Sequence, residues 1–469
     1  MKPGHPGFGL AIALLSVGAG CASTSPKQAF RDAAALVEAR TGRKVVWDQA
    51  GADDAAVAKT LRDLLSRELT VETAVQVALL SNKTLQATYE DLSVAQADLV
   101  QAGLLQNPVF SAAVAFPVAG AVSTGMGISV SQDFLSVFAL AARKRVAEAE
   151  LRAATMRVGN AVLRMAFDVE SAFYALAGAA QVATMHRTVL DAEDAAADLS
   201  RRQHEAGNIS DLDLANQEAL DEQVRTDVVR SDADVVTARE NLTRLLGLWG
   251  PASEYRVRVP LPELPAVEVD LEHLESMAVN RRLDLAAARE EARAASRALT
   301  MAKNFRFLGA ASAGAALERS PEGYTVAGPS VSLELPIFDQ RQAVIARLEA
   351  RLRSALAREA ALAVDVRSEV RLAASRVIAH RAVVDRYANV VVPLRQRVVA
   401  LAQQQFDAML LGGYQLLQAK QSEVHAYREL IEALRDYWVA RAELERASGG
   451  VVPVATPISR PPLPSGAPS

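Results

Sequence analysis

The chain has 469 residues, of which half are apolar and 5% aromatic, and a net charge of −4 with charges of both signs interspersed. This balance offers no basic surface for nucleic acid. A single cysteine excludes a disulfide framework and a thiolate metal site. An alanine-rich, aromatic-poor composition is typical of long, closely packed helices rather than of a bulky globular core.

The first residues have the pattern of an export signal. Lys2 supplies a positive charge and Phe8–Gly18 an apolar run too short for a membrane-spanning helix, which needs about 20 residues. Cys21 stands where the signal ends, as does the lipidated cysteine of a bacterial lipoprotein, although Gly18 occupies a place where leucine is preferred. We assign residues 1–20 to a signal peptide and predict lipidation of Cys21. Cleavage beside a bystander cysteine is the alternative.

The next elements form a first repeat, residues 61–247, which follows a lipidated N-terminal linker (21–60). A helix is predicted from about Leu61 to Leu105. Two strands, in Pro108–Phe116 and Gly125–Phe134, alternate between one apolar face and one small or polar face. A helix of about 70 residues then has apolar residues at alternating steps of four and three, the seam of a coiled coil. These residues are Val158, Val162, Met165, Val169, Ala172, Leu176, Ala179 and Ala183.

A turn at Gly207–Asp213 ends this long helix. Gly207 suits the left-handed C-cap conformation, and Ser210 is a good N-cap for a closing helix that extends to about Leu246. A proline-rich linker, residues 248–270, follows.

The second repeat, residues 271–447, copies this order. Val71–Ala102 aligns with Leu271–Ala302 at an offset of 200 residues, and the second strands align at an offset of 201. The pattern predicts two more strands, a long helix from about Gln340 to Leu410 that Pro393 kinks, and a closing helix. Residues 448–469 are proline-rich and are predicted to be disordered.

Four strands are too few to close a membrane barrel, because the smallest such barrels have eight. If these strands enter a membrane, the chain must therefore oligomerise, and the helices must project together from one rim as a second, helical tube. The alternative is a soluble sheet that caps a coiled-coil rod.

Several stretches resemble the TolC-type outer-membrane efflux channels, in their lipoprotein-bearing branch. They are Leu69–Phe110, His204–Gln217, Leu333–Ala343 and Gln405–Glu423. The resemblance covers about residues 60 to 447, and its specificity comes from the order of the stretches, in duplicate and with matching gaps.

The resemblance implies a mainly α fold with a transmembrane β-barrel. Four strands from each protomer would form a trimeric 12-stranded barrel in the outer membrane, continued by a long periplasmic α-helical barrel. It implies a lipid-anchored homotrimer that works with a periplasmic adaptor protein and an inner-membrane pump. Such a channel is a passive exit duct for metal ions or for drugs and other small organic molecules, and it is not an enzyme.

The resemblance also places two turns at the periplasmic tip, where the adaptor docks. The residues concerned are Gly207, Asn208, Ile209, Ser210, Leu411, Gly412 and Gly413. Ordinary capping chemistry explains the same residues, and the two interpretations are compatible.

Asp213 falls where the family's channels have an acidic gate residue, but it can equally form a capping box with Ser210. In the second repeat Met409 stands where the tip glycine would fall. Gln415 and Gln418 stand where an acidic aperture ring would be. A strong cation-binding ring is therefore not expected at this tip.

Asp133 and Glu334 align with each other on the small, polar face of a second strand. They are either lumen charges with a weak preference for cations or solvated charges at strand ends. The histidines have no metal-ligand spacing, and no phosphate loop, nucleophile elbow or dinucleotide fingerprint occurs, so we expect no cofactor, no metal and no catalysis.

Two other functions compete with the channel. A periplasmic adaptor would have one helical hairpin and compact β-domains rather than two matched copies. A structural coiled-coil lipoprotein without channel activity would not need lipid-compatible strand alternation. Both metal and drug cargo fit the sequence.

Overall fold

The computed structural model describes residues 25–43, 45–47, 54–116, 124–307, 311–320 and 323–453. The predicted signal peptide, Cys21 and the chain after residue 453 lie outside these ranges. Two compact units are present. The first, which contains the sheet, combines Glu90–Thr155 and Arg289–Leu356 with the residues up to Arg31; the second combines Asp32–Tyr89, Met156–Ala288 and Ala357–Ser469.

The described elements follow the predicted order. In the first half they are α1 (Lys27–Thr41), α2 (Asp54–Leu65), β1 (Glu68–Leu69), α3 (Val71–Ser81), α4 (Lys83–Ala102), β2 (Val109–Ala115), β3 (Gly125–Asp133), α5 (Leu135–Glu205) and α6 (Asp211–Leu246). In the second half they are β4 (Arg256–Val257), α7 (Leu274–Arg281), α8 (Leu283–Asn304), β5 (Ala311–Arg319), β6 (Thr325–Leu333), α9 (Gln342–Arg386), α10 (Val392–Asp407) and α11 (Gly413–Ser448).

The four predicted strands pair in one antiparallel sheet with the order β2-β3-β5-β6. The register aligns Phe110 with Val130 and Val130 with Ala315, which puts the predicted apolar positions on one face. Ser111 pairs with Ser129, and Ser129 with Ala316, on the opposite face. The prediction of two-faced strands is therefore confirmed, and the alternating sequence explains it because successive side chains of a strand point to opposite faces.

The first helix of each repeat is broken, which corrects the prediction of one continuous helix from Leu61 to Leu105. In the first repeat the predicted helix is interrupted by β1 between α2 and α3 and again at Asn82 between α3 and α4, and in the second repeat α7 and α8 are separated at Arg282. Asn82 and Arg282 are both in extended conformation. The side chain of Asn82 accepts a bond from the Leu85 amide (3.0 Å) and donates to the Leu245 carbonyl (2.8 Å). Arg282 is instead held by ion pairs with Asp284 and Glu369.

A glycine at the end of each closing helix explains the position of these breaks. Gly247 and Gly449 are left-handed C-caps, with φ of 68° and 77°. A Cβ on Gly247 would lie 2.8 Å from the Asn82 Cα, and one on Gly449 would lie 3.0 Å from the Arg282 nitrogen. The closing helix therefore ends directly against the broken backbone, which only glycine allows in this conformation.

The coiled-coil seams form the core of the second unit. In α5, Val158, Val162, Val169, Leu176 and Ala183 are buried, whereas the other predicted seam residues are half-buried. In the second repeat, the buried seam of α9 packs with Tyr437, Ala440 and Leu444 of α11 in one cluster; the seam residues are Val366, Val370, Ala373, Val377 and Val384. Apolar residues at heptad spacing thus predict the buried face correctly.

The long helix of the second repeat is interrupted where the sequence predicts a kink. Tyr387–Val391 form a π-helical turn, and the Val392 amide bonds to the Tyr387 carbonyl five residues earlier. Pro393 follows at once. Because proline has no amide hydrogen, the regular α-helical ladder loses one bond here, and the π-turn carries the chain past the gap.

The segment assigned to a linker, residues 21–60, contains helix α1 and the start of α2, which corrects that assignment. Ala33 and Val37 of α1 are buried at helical spacing. The segment contacts both repeats, because the Gln86 side chain donates to the Val46 carbonyl (3.4 Å) and the Arg40 side chain donates to the Arg281 carbonyl (3.2 Å). These short apolar stripes were too weak to recognise in a polar stretch. The Val451 amide also bonds to the Arg40 carbonyl (3.1 Å) and Val452 is buried, so the start of the segment predicted to be disordered, residues 448–453, is packed.

The proline-rich linker is also packed. Its short strand β4 pairs in parallel with β1, and Tyr255, Leu261 and Val269 are buried. Among the described residues, the helices include none that is both long enough and apolar enough to span a bilayer.

Candidate functional site: tip turns and sheet

The first tip turn connects α5 to α6. Gly207 has φ of 76°, its amide bonds to the His204 carbonyl (2.8 Å), and the Asn208 amide bonds to the Gln203 carbonyl (2.8 Å). This pair of bonds is the Schellman motif, which closes a helix on a left-handed residue. The sequence prediction for Gly207 is confirmed by this geometry.

The start of α6 is closed by side chains. Ser210 and Asp213 form a reciprocal capping box, in which the Asp213 amide bonds to Ser210 Oγ (3.2 Å) and the Ser210 amide to Asp213 Oδ2 (3.3 Å). His204 Nε2 lies 2.6 Å from Asp211 Oδ1 across the turn. The capping interpretation of Asp213 therefore holds in this structure, and its role as a gate stays a prediction.

The second tip turn has the same backbone with different side chains. Met409 has φ of 58°, its amide bonds to the Phe406 carbonyl (2.9 Å), and the Leu410 amide bonds to the Gln405 carbonyl (2.9 Å). Met409 thus takes the place of Gly207, as the sequence alignment of the repeats predicts. A left-handed methionine is strained, because its Cβ approaches the following carbonyl oxygen.

The helix that follows this turn lacks a side-chain cap. Gly412 is the N-cap of α11 and Gly413 its first residue. Gln415 corresponds to Asp213 and is exposed, with its side-chain oxygen close to Gly412, and Gln418 is exposed one turn later. Within the described residues, no hydrogen bond or ion pair links one tip turn to the other.

Apolar side chains are exposed at both turns. Leu212, Met409 and Leu410 are 69%, 94% and 79% exposed. Asn208 is exposed and Ile209 is half-buried. Both turns therefore leave apolar surface open to solvent.

The predicted strand charges lie at the helix-proximal end of the sheet. Asp133 is half-buried, pairs with Ser312, and accepts a bond from the Ser136 amide at the start of α5 (3.3 Å). Glu334 is exposed, one residue beyond β6. Asp133 therefore has a capping role, and β5 lies between its strand and the strand that precedes Glu334.

A buried carboxylate pair lies in the second unit. Glu170 of α5 accepts a bond from Arg43 (2.6 Å), and burial raises the pKa of Glu170 although Arg43 opposes the shift. Burial, together with the charge of Glu170, raises the pKa of Glu445 in α11 to about 7, while Arg441 and Arg43 oppose this rise. Both carboxylates are on helices predicted from sequence, but nothing in the sequence pattern indicated that they meet.

The fold is similar to that of solved membrane proteins. A membrane protein from Pseudomonas aeruginosa matches at 20% identity with a TM-score of 0.71, covering 81% of this chain and 92% of that chain. The Campylobacter jejuni CmeC outer membrane channel matches at 15% identity and a TM-score of 0.70, covering 82% and 86%. The Vibrio cholerae outer membrane protein VceC matches at 18% identity and a TM-score of 0.66, covering 81% and 96%.

A family model named "Outer membrane efflux protein" matches residues 74–248. This match supports the resemblance of the chain to the TolC-type outer-membrane efflux channels. The comparison with curated proteins gave no match. The matched residues comprise most of the first repeat, including the Asn82 break, the first hairpin and the first tip turn.

The likeness to these solved structures confirms the predicted mainly α architecture with its sheet and coiled-coil helices. Sequence reasoning missed the His204–Asp211 pair and the acidic residue Glu318 of β5. The first was detectable, because His204 and Asp211 flank the tip glycine at helix ends. The second was hidden because β5 begins in an alanine- and glycine-rich stretch with weak alternation.

Proposed function

We propose that three copies of this chain form a passive exit duct of a tripartite efflux pump in the outer membrane. The observation that carries the proposal is the open four-stranded sheet with one apolar and one small, polar face. Its edge strands β2 and β6 each have one described neighbour. A sheet in hydrocarbon must close, because unpaired backbone groups there cost several kcal/mol each. Pairing of β6 with β2 of the next copy gives a closed, 12-stranded barrel.

The helical part supports a conduit rather than a rod. Helix α5 has 71 residues, about 105 Å at 1.5 Å per residue, and its two-repeat design supplies matched coiled coils. A coiled-coil rod would need no sheet with a continuous apolar face. The exposed apolar residues of the two tip turns support docking of a periplasmic adaptor, which in turn would connect to an inner-membrane pump.

The experiment that tests the duct is the mass of the purified protein in detergent, followed by reconstitution into lipid. We expect a mass of three chains plus a micelle, and ion conductance after reconstitution. A monodisperse monomer that needs no detergent, or an inserted trimer without conductance, contradicts the proposal and favours the structural coiled-coil lipoprotein.

The tip can be tested separately. Leu212→Glu and Leu410→Glu should leave the trimer intact and abolish both efflux and cross-linking to the adaptor, because each buries an unpaired charge in the docked complex. Leu212→Met and Leu410→Met, which keep an apolar side chain at the same positions, are the matched controls and should keep both activities. Survival of resistance and cross-linking in the glutamate variants contradicts tip docking. The cargo, metal ions or small organic molecules, follows from the pump that the adaptor recruits.

Lipidation of Cys21 is a further part of the proposal, supported by its position after the predicted signal. Cys21→Ala should abolish labelling with a radioactive fatty acid while the helical circular dichroism of the purified protein is retained. Mature protein that begins well downstream of Cys21 without an acyl group contradicts it.

A further inference from the structure

The two faces of the sheet differ in charge as well as in size. Glu318 of β5 lies on the small, polar face, where it pairs with Gly127 and Val326. Asp133 lies on the same face at the other end of the sheet. The neighbouring Arg319 points to the apolar face, where it pairs with Met126 and Thr325. Consecutive residues of opposite charge thus mark opposite faces of one strand.

Exposure along β5 identifies the sheltered face. Ser312, Gly314 and Ala316 of the small face are half-buried, whereas Ala313, Ala315 and Leu317 of the apolar face are exposed. In the middle of β5 the small face is therefore the more sheltered one, although Glu318 at its end is exposed. We expect the small, polar face to line the interior when such a sheet closes and the apolar face to meet lipid.

The sheltered face carries two acidic levels with a neutral wall between them. Ser312, the partner of Asp133, precedes Glu318 by six residues, which corresponds to about 20 Å along the strand. Between these levels the face consists mainly of glycine, serine and alanine, with valines at strand ends. The described strands place no lysine, arginine or histidine on this face. Small side chains leave room for cargo and supply no positive charge to cancel the carboxylates.

We propose that Glu318 determines charge selectivity at the hairpin end of the conduit, with Asp133 as a second, weaker level. The inference rests on the proposed function, since it requires that the sheet closes around a lumen. In a trimer, three Glu318 carboxylates form a ring that concentrates cations and repels anions of similar size. The cargo favoured at this end of the duct is cationic or zwitterionic.

The test is the reversal potential of the reconstituted protein in planar bilayers under a KCl gradient. Wild type should be cation-selective, and Glu318→Gln should lower the cation-to-anion permeability ratio severalfold. Asp133→Asn should lower it less, because Asp133 is half-buried and already bonded to Ser136. The matched control is Arg319→Gln, which removes a charge from the lipid-side face and should leave the ratio unchanged.

Salt provides a second readout. The Debye length shortens from about 30 Å at 0.01 M to about 3 Å at 1 M, so the cation preference should fall as KCl rises. Unchanged selectivity in Glu318→Gln, or a change in Arg319→Gln instead, overturns the assignment of Glu318 while conductance still supports the duct. Inserted trimers that never conduct overturn both the duct and this inference. Circular dichroism of each variant checks that the fold is kept.

Discussion

The two repeats of the chain build the same backbone with different side chains. The helix break of the first repeat is stabilised by hydrogen bonds of the Asn82 side-chain amide, whereas that of the second repeat is stabilised by the ion pairs of Arg282. At the tip, glycine and a Ser–Asp capping box in the first repeat correspond to Met409 and an uncapped glycine in the second. One position has the same residue in both repeats. Gly247 and Gly449 each end a closing helix where a side chain would collide with the backbone of the helix break.

This difference separates two kinds of constraint. At positions where the backbone needs only a hydrogen-bonding or charged partner, several different side chains can supply it, so the two repeats differ there. Where a Cβ would collide with backbone, no side chain serves, so both repeats have glycine. Substitutions at matched positions of the two repeats should therefore have unequal effects at the tips and similar effects at the closing glycines.

The largest effect is expected at the closing glycines. Gly247→Ala should destabilise the helical unit by about 3 kcal/mol, since it adds left-handed strain of about 1 kcal/mol to overpacking of about 1–3 kcal/mol. Gly449→Ala should cost a similar or slightly smaller amount, because its closest contact is 3.0 Å rather than 2.8 Å. Thermal unfolding followed by helical circular dichroism measures both. A cost below that of Gly207→Ala, which has open space around it, would contradict the packing argument.

The next effect is the pH dependence of stability, to which we expect Glu445 of the second repeat to contribute most. Glu445 corresponds to Thr243 in α6 of the first repeat, and Thr243 is a neutral residue that bonds to Tyr255. Glu445 faces Glu170, Arg43, Arg441 and Tyr174. Its pKa is raised from 4.5 to about 7, so the folded protein retains a proton that the unfolded chain has released. Stability should therefore fall by up to about 3 kcal/mol as pH rises from about 4.5 through 7.

Glu445→Gln should remove much of the pH dependence of stability and should stabilise the protein at pH 8. The pKa of Glu170 is also raised, so a smaller pH dependence of the same sign should remain. Glu443→Gln is the matched control, since Glu443 lies on the same helix in a partly exposed pair with Arg376. The measurement is the melting temperature of wild type and of both variants between pH 5 and pH 8. Equal slopes in wild type and Glu445→Gln would show that the buried pair does not titrate in this range.

The left-handed tip residues should respond in opposite directions. Gly207→Ala should lose about 1 kcal/mol, and Met409→Gly should gain about 1 kcal/mol, because both turns have the same backbone but only one has glycine. Amide hydrogen exchange at the end of α5 and of α10 reports each change locally. Two losses of equal size would mean that Met409 makes a compensating contact.

The smallest effect concerns the helix N-caps. Ser210→Ala should cost about 1 kcal/mol, whereas Gly412→Ser should gain only a few tenths of a kcal/mol. Exchange rates of the first amides of α6 and α11 measure both. A large gain from Gly412→Ser would show that the second tip is limited by its missing cap rather than by the strain at Met409.

Sequence reasoning predicted most of the architecture, because it depends on local periodicity and on repetition. The two-faced strands, the heptad seams, the Gly207 turn, the Ser210–Asp213 box and the role of Met409 all follow from residues close in sequence. The helix breaks did not, since Asn82 and Arg282 end a helix only because a glycine about 165 residues later approaches them. The Glu170–Glu445 pair and the contacts of α1 depend on tertiary packing in the same way.

The π-helical turn is related to a difference in length between the two repeats. Arg282 follows Asn82 by 200 residues, Glu334 follows Asp133 by 201, and Met409 follows Gly207 by 202. The second copy therefore acquired one extra residue between its last strand and its tip, or the first copy lost one. Val392 is buried eight residues after Val384, whereas the seam before it advances by seven. The π-helical turn at Tyr387–Val391 lies within the interval that contains this extra residue, and a turn with one additional residue keeps the buried stripe of the long helix in phase.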